Sequence, residues 1–274
     1  MNIGAPIQTA EIEAAAAALR QAEADRVGIA PLTEQFPHLS IDEAYAIQRA
    51  NLGHRLAAGE RIVGRKIGLT SLAMQRQLGV DQPDYGVITD VMEIPESGVF
   101  DPSLLLEPRV EAEFAFEIGT DLPASPSREE LVGAISGVAV AMEVIDSRIS
   151  DWRIKLLDTV ADNASMARVV WGAFVSATPE LLANLPGVLL TLSRDGEQTC
   201  SGPGSAVLGD PLTSLHWLAG ALGAHGDTFR AGDRVLAGAV AAAVDLVPHA
   251  EWTVHADGFP SATFRTAAVN HSEL

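Results

Sequence analysis

The chain has 274 residues, 47% of them hydrophobic, and a formal net charge of −18 at pH 7. This is the composition of a globular chain that can bury a full core. The negative charge disfavours nucleic acid and anionic membranes as partners. The chain has one cysteine, Cys200, which excludes an internal disulfide framework. No apolar run reaches the roughly 20 residues of a membrane span and no signal peptide is apparent, so we expect a cytoplasmic protein.

Helices dominate the first hundred residues. An Ala-rich stretch carries apolar residues at helical spacing, and Ser40 and Glu43 form a capping box at the start of a second helix. The predicted elements are helices over 9–25 and 41–58, a strand over 61–67, a brief helix over 72–78 and a turn-rich loop over 79–90. We therefore predict a small helical and mixed N-terminal region over residues 1–100.

Two later stretches alternate strictly between apolar residues and others. Between Arg109 and Ile118 one face is apolar, while Glu111, Glu113 and Glu117 share the other face. This period of two predicts a strand with one side on a core. Residues 138–144 repeat the alternation and place Glu143 among small residues on the second face.

The spacing of these glutamates leaves two interpretations open. Carboxylates at i and i+2 lie roughly 7 Å apart at Cα on one face, which is unfavourable unless a cation lies between them. The oxygen donors of Glu111, Glu113 and Glu143 would suit Mg²⁺ or Mn²⁺ rather than zinc. A solvated sheet face, common in so acidic a chain, is the alternative.

The remaining pattern is mostly β and predicts a mixed-β core over residues 101–274. The expected elements are a short helix opened by a capping box at Ser127, a hairpin over 188–196 turning at Asp195-Gly196, a helix with Asp210 as N-cap, and strands over 234–240, 251–256 and 262–267. The segment 146–165 is unusually polar for a stretch that follows a buried strand. It is either a solvated helix or the lining of a site.

Lysine and histidine are informative through their rarity. The chain has two lysines, Lys66 and Lys155, and no histidine between His54 and His216. A base in the site-like segments must therefore be a lysine, a carboxylate or metal-bound water. Lysine, unlike arginine, can lose its proton when desolvated. The plainer interpretation of Lys66 is a surface lysine beside Arg65.

Five motifs in order resemble the 2-keto-4-pentenoate hydratases, within the fumarylacetoacetate hydrolase superfamily. They are G-R-K-I-G-L-T-S (64–71), G-V-D-Q-P-D-Y-G (79–86), P-R-V-E-A-E (108–113), E-V-I-D-S-R-I-S-D-W (143–152) and D-T-V-A-D-N-A-S (158–165). The resemblance runs from about residue 10 to 245. It implies a lyase of meta-cleavage aromatic catabolism that adds water to a 2-hydroxy-2,4-dienoate, giving a 4-hydroxy-2-oxo acid.

The same resemblance implies an α+β fold, with a small mixed α/β N-terminal part packed on a larger mixed-β core of the fumarylacetoacetate hydrolase C-terminal type. It implies Mg²⁺ or Mn²⁺, a small anionic 2-oxo or 2-hydroxy acid as substrate, a pentamer-based homo-oligomer and a possible complex with a pathway enzyme. The implied residues are Glu111, Glu113 and Glu143 as metal ligands, Lys66, Asp84 and Ser165 as catalytic residues, and Leu69, Tyr85, Arg148, Lys155 and Asn163 as substrate contacts.

Other activities stay open. The related 4-oxalocrotonate decarboxylases share the glutamates, but the motifs around Lys66 and Asp84 favour a hydratase. A C–C hydrolase or tautomerase of the superfamily is a further alternative. A non-catalytic partner subunit would be indicated by loss of a ligand or of Lys66, and none is lost. The chain departs from the family pattern at residues 248–250 and 257–261, which puts substrate range and assembly contacts in doubt.

Overall fold

The computed structural model describes residues 7–71, 75, 76, 80 and 82–268. Within these ranges the helices are α1 (Thr9–Asp25), α2 (Leu32–Gln35), α3 (Ile41–Ala57), α4 (Arg128–Ala134), α5 (Leu156–Ala161), α6 (Pro179–Asn184) and α7 (Pro211–Ala224). The strands are β1 (Ile62–Gly68), β2 (Asp84–Thr89), β3 (Val99–Phe100), β4 (Arg109–Ile118), β5 (Ile135–Ile145), β6 (Met166–Trp171), β7 (Val175–Ser176), β8 (Leu189–Arg194), β9 (Glu197–Pro203), β10 (Arg234–Ala239), β11 (Val244–Asp245), β12 (Glu251–His255) and β13 (Ala262–Thr266).

The strands form two mixed sheets. The larger sheet has eight strands in the order β2-β1-β10-β4-β5-β6, with β11 pairing with β4 and β7 with β5. The smaller sheet has five strands in the order β3-β13-β12-β8-β9. Most neighbours are antiparallel, whereas β1 pairs with β10 and β13 with β3 in parallel. The predicted α+β class is confirmed.

The pair β4 and β5 forms the centre of the larger sheet, and its two faces differ. Val110, Phe114 and Phe116 are completely buried in the main hydrophobic core. The opposite face carries the glutamates, followed along β4 by Ala115, which packs in a smaller apolar cluster with Ala139 and other residues of that face. The alternation in the sequence thus separates an apolar face from the face that bears the polar residues.

The N-terminal elements are joined to the core through the sheet. Helices α1 and α3 pack on each other, and the Ser40 side chain accepts a hydrogen bond from the Glu43 backbone, as the capping box predicts. Strands β1 and β2 belong to the larger sheet, so a boundary at residue 100 crosses the sheet that contains β4. The division into regions 1–100 and 101–274 stays a prediction.

The predicted loop over 79–90 is wrong for its second half. Residues Asp84–Thr89 form β2, and every residue of it is buried. The glycine, proline and aspartates favour a turn locally, but β1 offers antiparallel backbone partners to this stretch, from Gly68 opposite Asp84 onwards. Most of the predicted helix over 72–78 lies outside the described residues.

The elements predicted beyond residue 187 are confirmed. Strands β8 and β9 form the hairpin at Asp195-Gly196, and Asp210 caps α7 by accepting a hydrogen bond from the Leu212 backbone at 2.9 Å. Strands β10, β12 and β13 agree with the predicted ranges to within one or two residues at their ends. Among the described residues, no helix has the length and apolar character needed to cross a bilayer.

Candidate metal and substrate site

Three carboxylates meet on the polar face of β4 and β5. In the antiparallel register Glu111 lies directly opposite Glu143, and Glu113 follows two residues along β4 on the same face. One carboxylate oxygen of each lies within 4.8 Å of the others. Glu113 and Glu143 are buried, whereas Glu111 is partly exposed to the adjoining cavity. The solvated sheet face considered from the sequence is therefore excluded for Glu113 and Glu143.

The negative charges of this cluster are not fully balanced by the protein, as the pKa values of its members indicate. Burial, followed by the charge of Glu143, raises the pKa of Glu111 to about 8. Burial and the charges of Glu143 and Glu111 raise the pKa of Glu113 well above its usual range. Burial also raises the pKa of Glu143. Both oxygens of Glu143 lack a hydrogen-bond donor among the described residues. Unsatisfied oxygen donors at this spacing fit a hard divalent cation.

Lys66 is buried beside the cluster. The alternative interpretation of the sequence, a surface lysine next to Arg65, is therefore wrong. Lys66 Nζ donates a hydrogen bond to the Ala164 carbonyl at 2.7 Å. It also forms an ion pair with Glu143 Oε1 at 3.1 Å, but this contact does not have the geometry of a hydrogen bond. Burial opposes the ammonium charge, but the surrounding carboxylates, Glu143 foremost, outweigh it and raise the pKa of Lys66. Lys66 is therefore a buried cation in this structure.

Asp84 and Ser165 complete the buried part of the site. Asp84 Oδ2 accepts a hydrogen bond from Thr159 Oγ1 at 3.1 Å, while Asp84 Oδ1 has no partner among the described residues. Burial raises the pKa of Asp84, with Lys66 acting in the opposite direction. The Ser165 hydroxyl is also buried, and within the same ranges it has no partner. Two polar groups thus remain free to meet a ligand.

These residues line a cavity of about 550 Å³. Its lining includes Lys66, Leu69, Asp84, Glu111, Glu113 and Ser165, six of the residues expected at the site. Toward the surface it is lined by Trp152, Ile154 and the run Ala241–Ala243. The cavity therefore has a charged, buried end and a largely apolar, more exposed end, a division suited to a small amphipathic acid.

Four of the expected substrate contacts lie outside this cavity. Tyr85 follows Asp84 on β2, so its side chain has the opposite orientation, and it stacks on Tyr45 with ring centroids 4.6 Å apart. Lys155 is exposed at the start of α5. Arg148 and Asn163 are committed to other protein groups, Arg148 to Asp162 and Asn163 to the Val87 backbone.

The structure also adds residues that the motifs did not single out. The Gly238 backbone donates to Glu113 Oε2 at 2.8 Å, and Thr159 orients Asp84. Arg109 lines the cavity, stacks its guanidinium 4.5 Å from the centre of the Trp152 ring and pairs with Asp245 at 3.3 Å. The sequence did hold one signal, because Arg109 shares the strand face of Glu111 and Glu113.

Comparisons with known proteins agree with this geometry. No protein-family model matches the chain. It is 42% identical over 250 residues to a 2-keto-4-pentenoate hydratase of Paraburkholderia xenovorans, covering 91% of this chain and 92% of that one. It is 41% identical over 225 residues to a 2-hydroxyhexa-2,4-dienoate hydratase of Comamonas testosteroni, covering 81% of this chain and 83% of the relative.

Among solved structures, this chain is similar to the 4-oxalocrotonate decarboxylase of Pseudomonas putida G7, which was solved in complex with magnesium and adipate. The TM-score is 0.89 and the sequence identity 33%, and the alignment covers 95% of this chain and 98% of that one. A putative fumarylacetoacetate hydrolase family protein of Yersinia pestis shares the fold, with a TM-score of 0.56, 16% identity and coverage of 74% and 93%. The fold is therefore of the fumarylacetoacetate hydrolase type. Within that class, this chain belongs to the 2-keto-4-pentenoate hydratase family.

The backbone at Gly238 gives a stability prediction. Its φ is +113°, and a Cβ there would collide with the Thr70 side chain. We expect Gly238→Ala to destabilise the protein by about 1–3 kcal/mol, because an L-residue is strained in this conformation. Gly133→Ala in α4, where a Cβ meets nothing within 4 Å, is the control and should be neutral or stabilising. Urea unfolding checks both variants, and equal midpoints for Gly238→Ala and the wild type would contradict the prediction.

Proposed function

We propose that the protein is a metal-dependent hydro-lyase that adds water to a 2-hydroxy-2,4-dienoate, or to its 2-oxo-4-enoate tautomer, in the meta-cleavage catabolism of aromatic compounds. The observation that carries this proposal is the buried cluster of Glu111, Glu113 and Glu143 beside the Lys66 ammonium, at the end of a cavity whose remaining wall is largely apolar. Hydratases at 41–42% identity support the reaction type.

Glu111, Glu113 and Glu143 would hold Mg²⁺ or Mn²⁺, since three carboxylates within 4.8 Å match the ligand preference of a hard cation. When bound, the ion would act as a Lewis acid on the carboxylate and C2 oxygens of the substrate. Gly238 keeps one oxygen of Glu113 in place through its backbone N–H. The bound acid would extend from this charged end of the cavity toward Trp152 and Ile154 at the apolar end.

The chain's own groups can then move the protons that the reaction needs. Protonation of the dienol at C5, with loss of the hydroxyl proton, gives an enone conjugated across C3 and C4; water then adds its oxygen at C4 and a proton at C3. We assign these transfers to three groups that line the cavity: the ammonium of Lys66, Oδ1 of Asp84 and the hydroxyl of Ser165. The last two have no hydrogen-bond partner among the described residues.

The apolar end of the cavity would exclude water from the hydrocarbon part of the substrate. Leu69, Trp152 and Ile154 provide this surface together with the alanines near Ala242. A substrate with one carboxylate needs no second cation there. The apolar side chains that form most of this end favour a dienoate with an uncharged end.

Decarboxylation of a 2-oxo-3-enedioate such as 4-oxalocrotonate is the second candidate. One observation favours it beyond the 33% identity to the decarboxylase. Arg109 lines the cavity near its apolar end and is only partly neutralised by the exposed Asp245. It is the cation that a second substrate carboxylate would require.

Product identification tests the reaction directly. Purified protein with Mg²⁺ is mixed separately with 2-hydroxypenta-2,4-dienoate and with 2-oxohex-3-enedioate. We expect water addition to the first compound, giving 4-hydroxy-2-oxopentanoate, and no release of CO₂ from the second. Release of CO₂ with no hydration would replace the proposal by the decarboxylase alternative.

A matched pair of variants on β4 tests the metal. We expect Glu113→Gln to abolish turnover and to weaken Mg²⁺ binding by more than roughly 100-fold. Loss of a residue that only supports a metal ligand already costs roughly 10–100-fold, and Glu113 would be a ligand itself. Glu117→Gln, on the same strand face but outside the cluster, should bind and turn over normally. Calorimetric titration with Mg²⁺ and assays with excess EDTA measure this. Full activity in EDTA would refute the metal assignment.

Lys66 is tested by a neutral side chain of similar length. We expect Lys66→Met to lower kcat by about 10²–10⁴-fold, the range that a positioned acid or base contributes. Steady-state kinetics at saturating Mg²⁺ would separate this from a weaker affinity, which would raise KM alone. Near-wild-type kinetics for this variant would remove Lys66 from the mechanism.

The homo-oligomer, the complex with a pathway enzyme and the cytoplasmic location stay predictions from the sequence and its family resemblance. The oligomer would be based on pentamers. Light scattering of the purified protein measures its mass in solution.

A further inference from the structure

Three successive residues without a glycine among them form a left-handed turn. Asn163, Ala164 and Ser165 have φ values of +54°, +51° and +58°. L-residues avoid this region because Cβ approaches the following carbonyl oxygen. A run of three persists only where the surrounding structure holds it, and such runs concentrate at functional sites. We call residues 163–165 the left-handed turn.

The left-handed turn brings two polar groups to the candidate site. The Ala164 carbonyl accepts the hydrogen bond from Lys66 Nζ at 2.7 Å. The Ser165 hydroxyl is buried, lines the cavity and has no partner among the described residues. The position of the Lys66 ammonium therefore depends on the conformation of this turn.

Arg148 forms hydrogen bonds with the residues on both sides of the turn. Its guanidinium donates to Asp162 Oδ1, to the Asp162 carbonyl at 2.5 Å and to the Met166 carbonyl at 3.3 Å. Asp162 and Met166 are the residues immediately before and after the turn. The Arg148 backbone also donates to Asp162 Oδ2 at 2.9 Å. Arg148 and Asp162 are 6% and 3% exposed, so water does not replace these contacts.

Asn163, the first residue of the turn, is hydrogen-bonded to β2. Its Oδ1 accepts from the Val87 backbone N–H at 2.8 Å, and its amide donates to the Val87 carbonyl at 2.9 Å. The neighbouring Gly86 has no room for a Cβ, which would collide with the Asn163 carbonyl oxygen. The turn therefore packs directly on the strand that carries Asp84.

We propose that Arg148 and Asn163 are positioning residues, which hold the left-handed turn so that the Ala164 carbonyl orients Lys66 and the Ser165 hydroxyl faces the substrate. Neither side chain touches the substrate. The effect on the reaction rests on the function proposed above. The hold on Lys66 is a property of the chain itself and can be measured separately.

The geometry requires a guanidinium at position 148. One planar fork reaches the Asp162 side chain, the Asp162 carbonyl and the Met166 carbonyl at once, whereas the single nitrogen of a lysine cannot span them. A role of positive charge alone would be satisfied by either side chain. The variant Arg148→Lys therefore separates the two explanations.

Kinetics form the first part of the test. We expect Arg148→Met and Arg148→Lys to lower kcat by about 10²-fold, as small misplacements of catalytic groups do, with little change in KM. The control is Arg230→Met, which breaks an exposed pair with Asp121 at 3.4 Å and contacts neither the turn nor Arg148. It should leave kcat unchanged. Wild-type kcat in Arg148→Lys would overturn the proposal.

The second part measures Lys66 without any assay of activity. The chain has only two lysines, and Lys155 is exposed while Lys66 is buried. Brief treatment with acetic anhydride followed by mass spectrometry therefore gives the acetylation of Lys66 relative to an internal reference. We expect the ratio of Lys66 to Lys155 acetylation to rise in Arg148→Met and to stay at the wild-type value in Arg230→Met. An unchanged ratio in folded Arg148→Met would overturn the proposal.

A second variant covers the case in which loss of Arg148 prevents folding. Asn163→Gly keeps a residue that accepts positive φ but removes both bonds to Val87. We expect lower kcat and increased Lys66 acetylation in this variant as well. Wild-type values of both would overturn the proposal. If the wild-type protein hydrates no dienoate, the proposed function fails, and the acetylation ratio still decides whether the turn holds Lys66.

Discussion

The burial of like charges beside a single lysine is the constraint on which the site depends. Glu111 and Glu143 face each other across two central strands, and Glu113 and Asp84 lie close by. Like charges opposite one another on a sheet are destabilising, and burial increases the cost. Lys66 offsets part of this charge, and a bound divalent cation would offset more. The same excess of negative charge that costs stability would provide affinity for such a cation.

The surrounding architecture serves to keep these groups apart from bulk water and in register. The main core packs under β4 through Phe114 and Phe116, and this fixes the strand that carries two of the glutamates. The irregular pairing of β10 with β4 between Leu236 and Ala239 brings the Gly238 N–H to Glu113. Precise placement of the carboxylates thus follows from a rigid sheet rather than from mobile loops.

A hydratase and a decarboxylase can share such a site because both need an acid held by its carboxylate end. The charged end of the cavity is common to either reaction. What differs is the group that the other end receives, and here that end combines Trp152, Ile154 and alanines with Arg109 at its edge. We therefore expect substrate specificity to depend on the less charged half of the cavity.

Local patterns allowed much of the secondary structure to be predicted. The alternation around Glu111 and Glu113 requires only the period of a strand, and the capping box at Ser40 requires only residues within one turn. The same locality explains the error over 79–90. The residues of this stretch favour a turn locally, but pairing of Asp84–Thr89 with β1 overrides that preference.

The sequence by itself determined that Glu111 and Glu113 share a strand face and, through its motifs, that Lys66, Asp84 and Ser165 belong with them. Only the tertiary structure decided that Arg148 and Asn163 turn away from the cavity to hold the backbone. A polar side chain can satisfy its hydrogen bonds with a ligand or with a buried carbonyl. Which partner it meets depends on strand register and packing between residues far apart in the chain, and no local pattern records these.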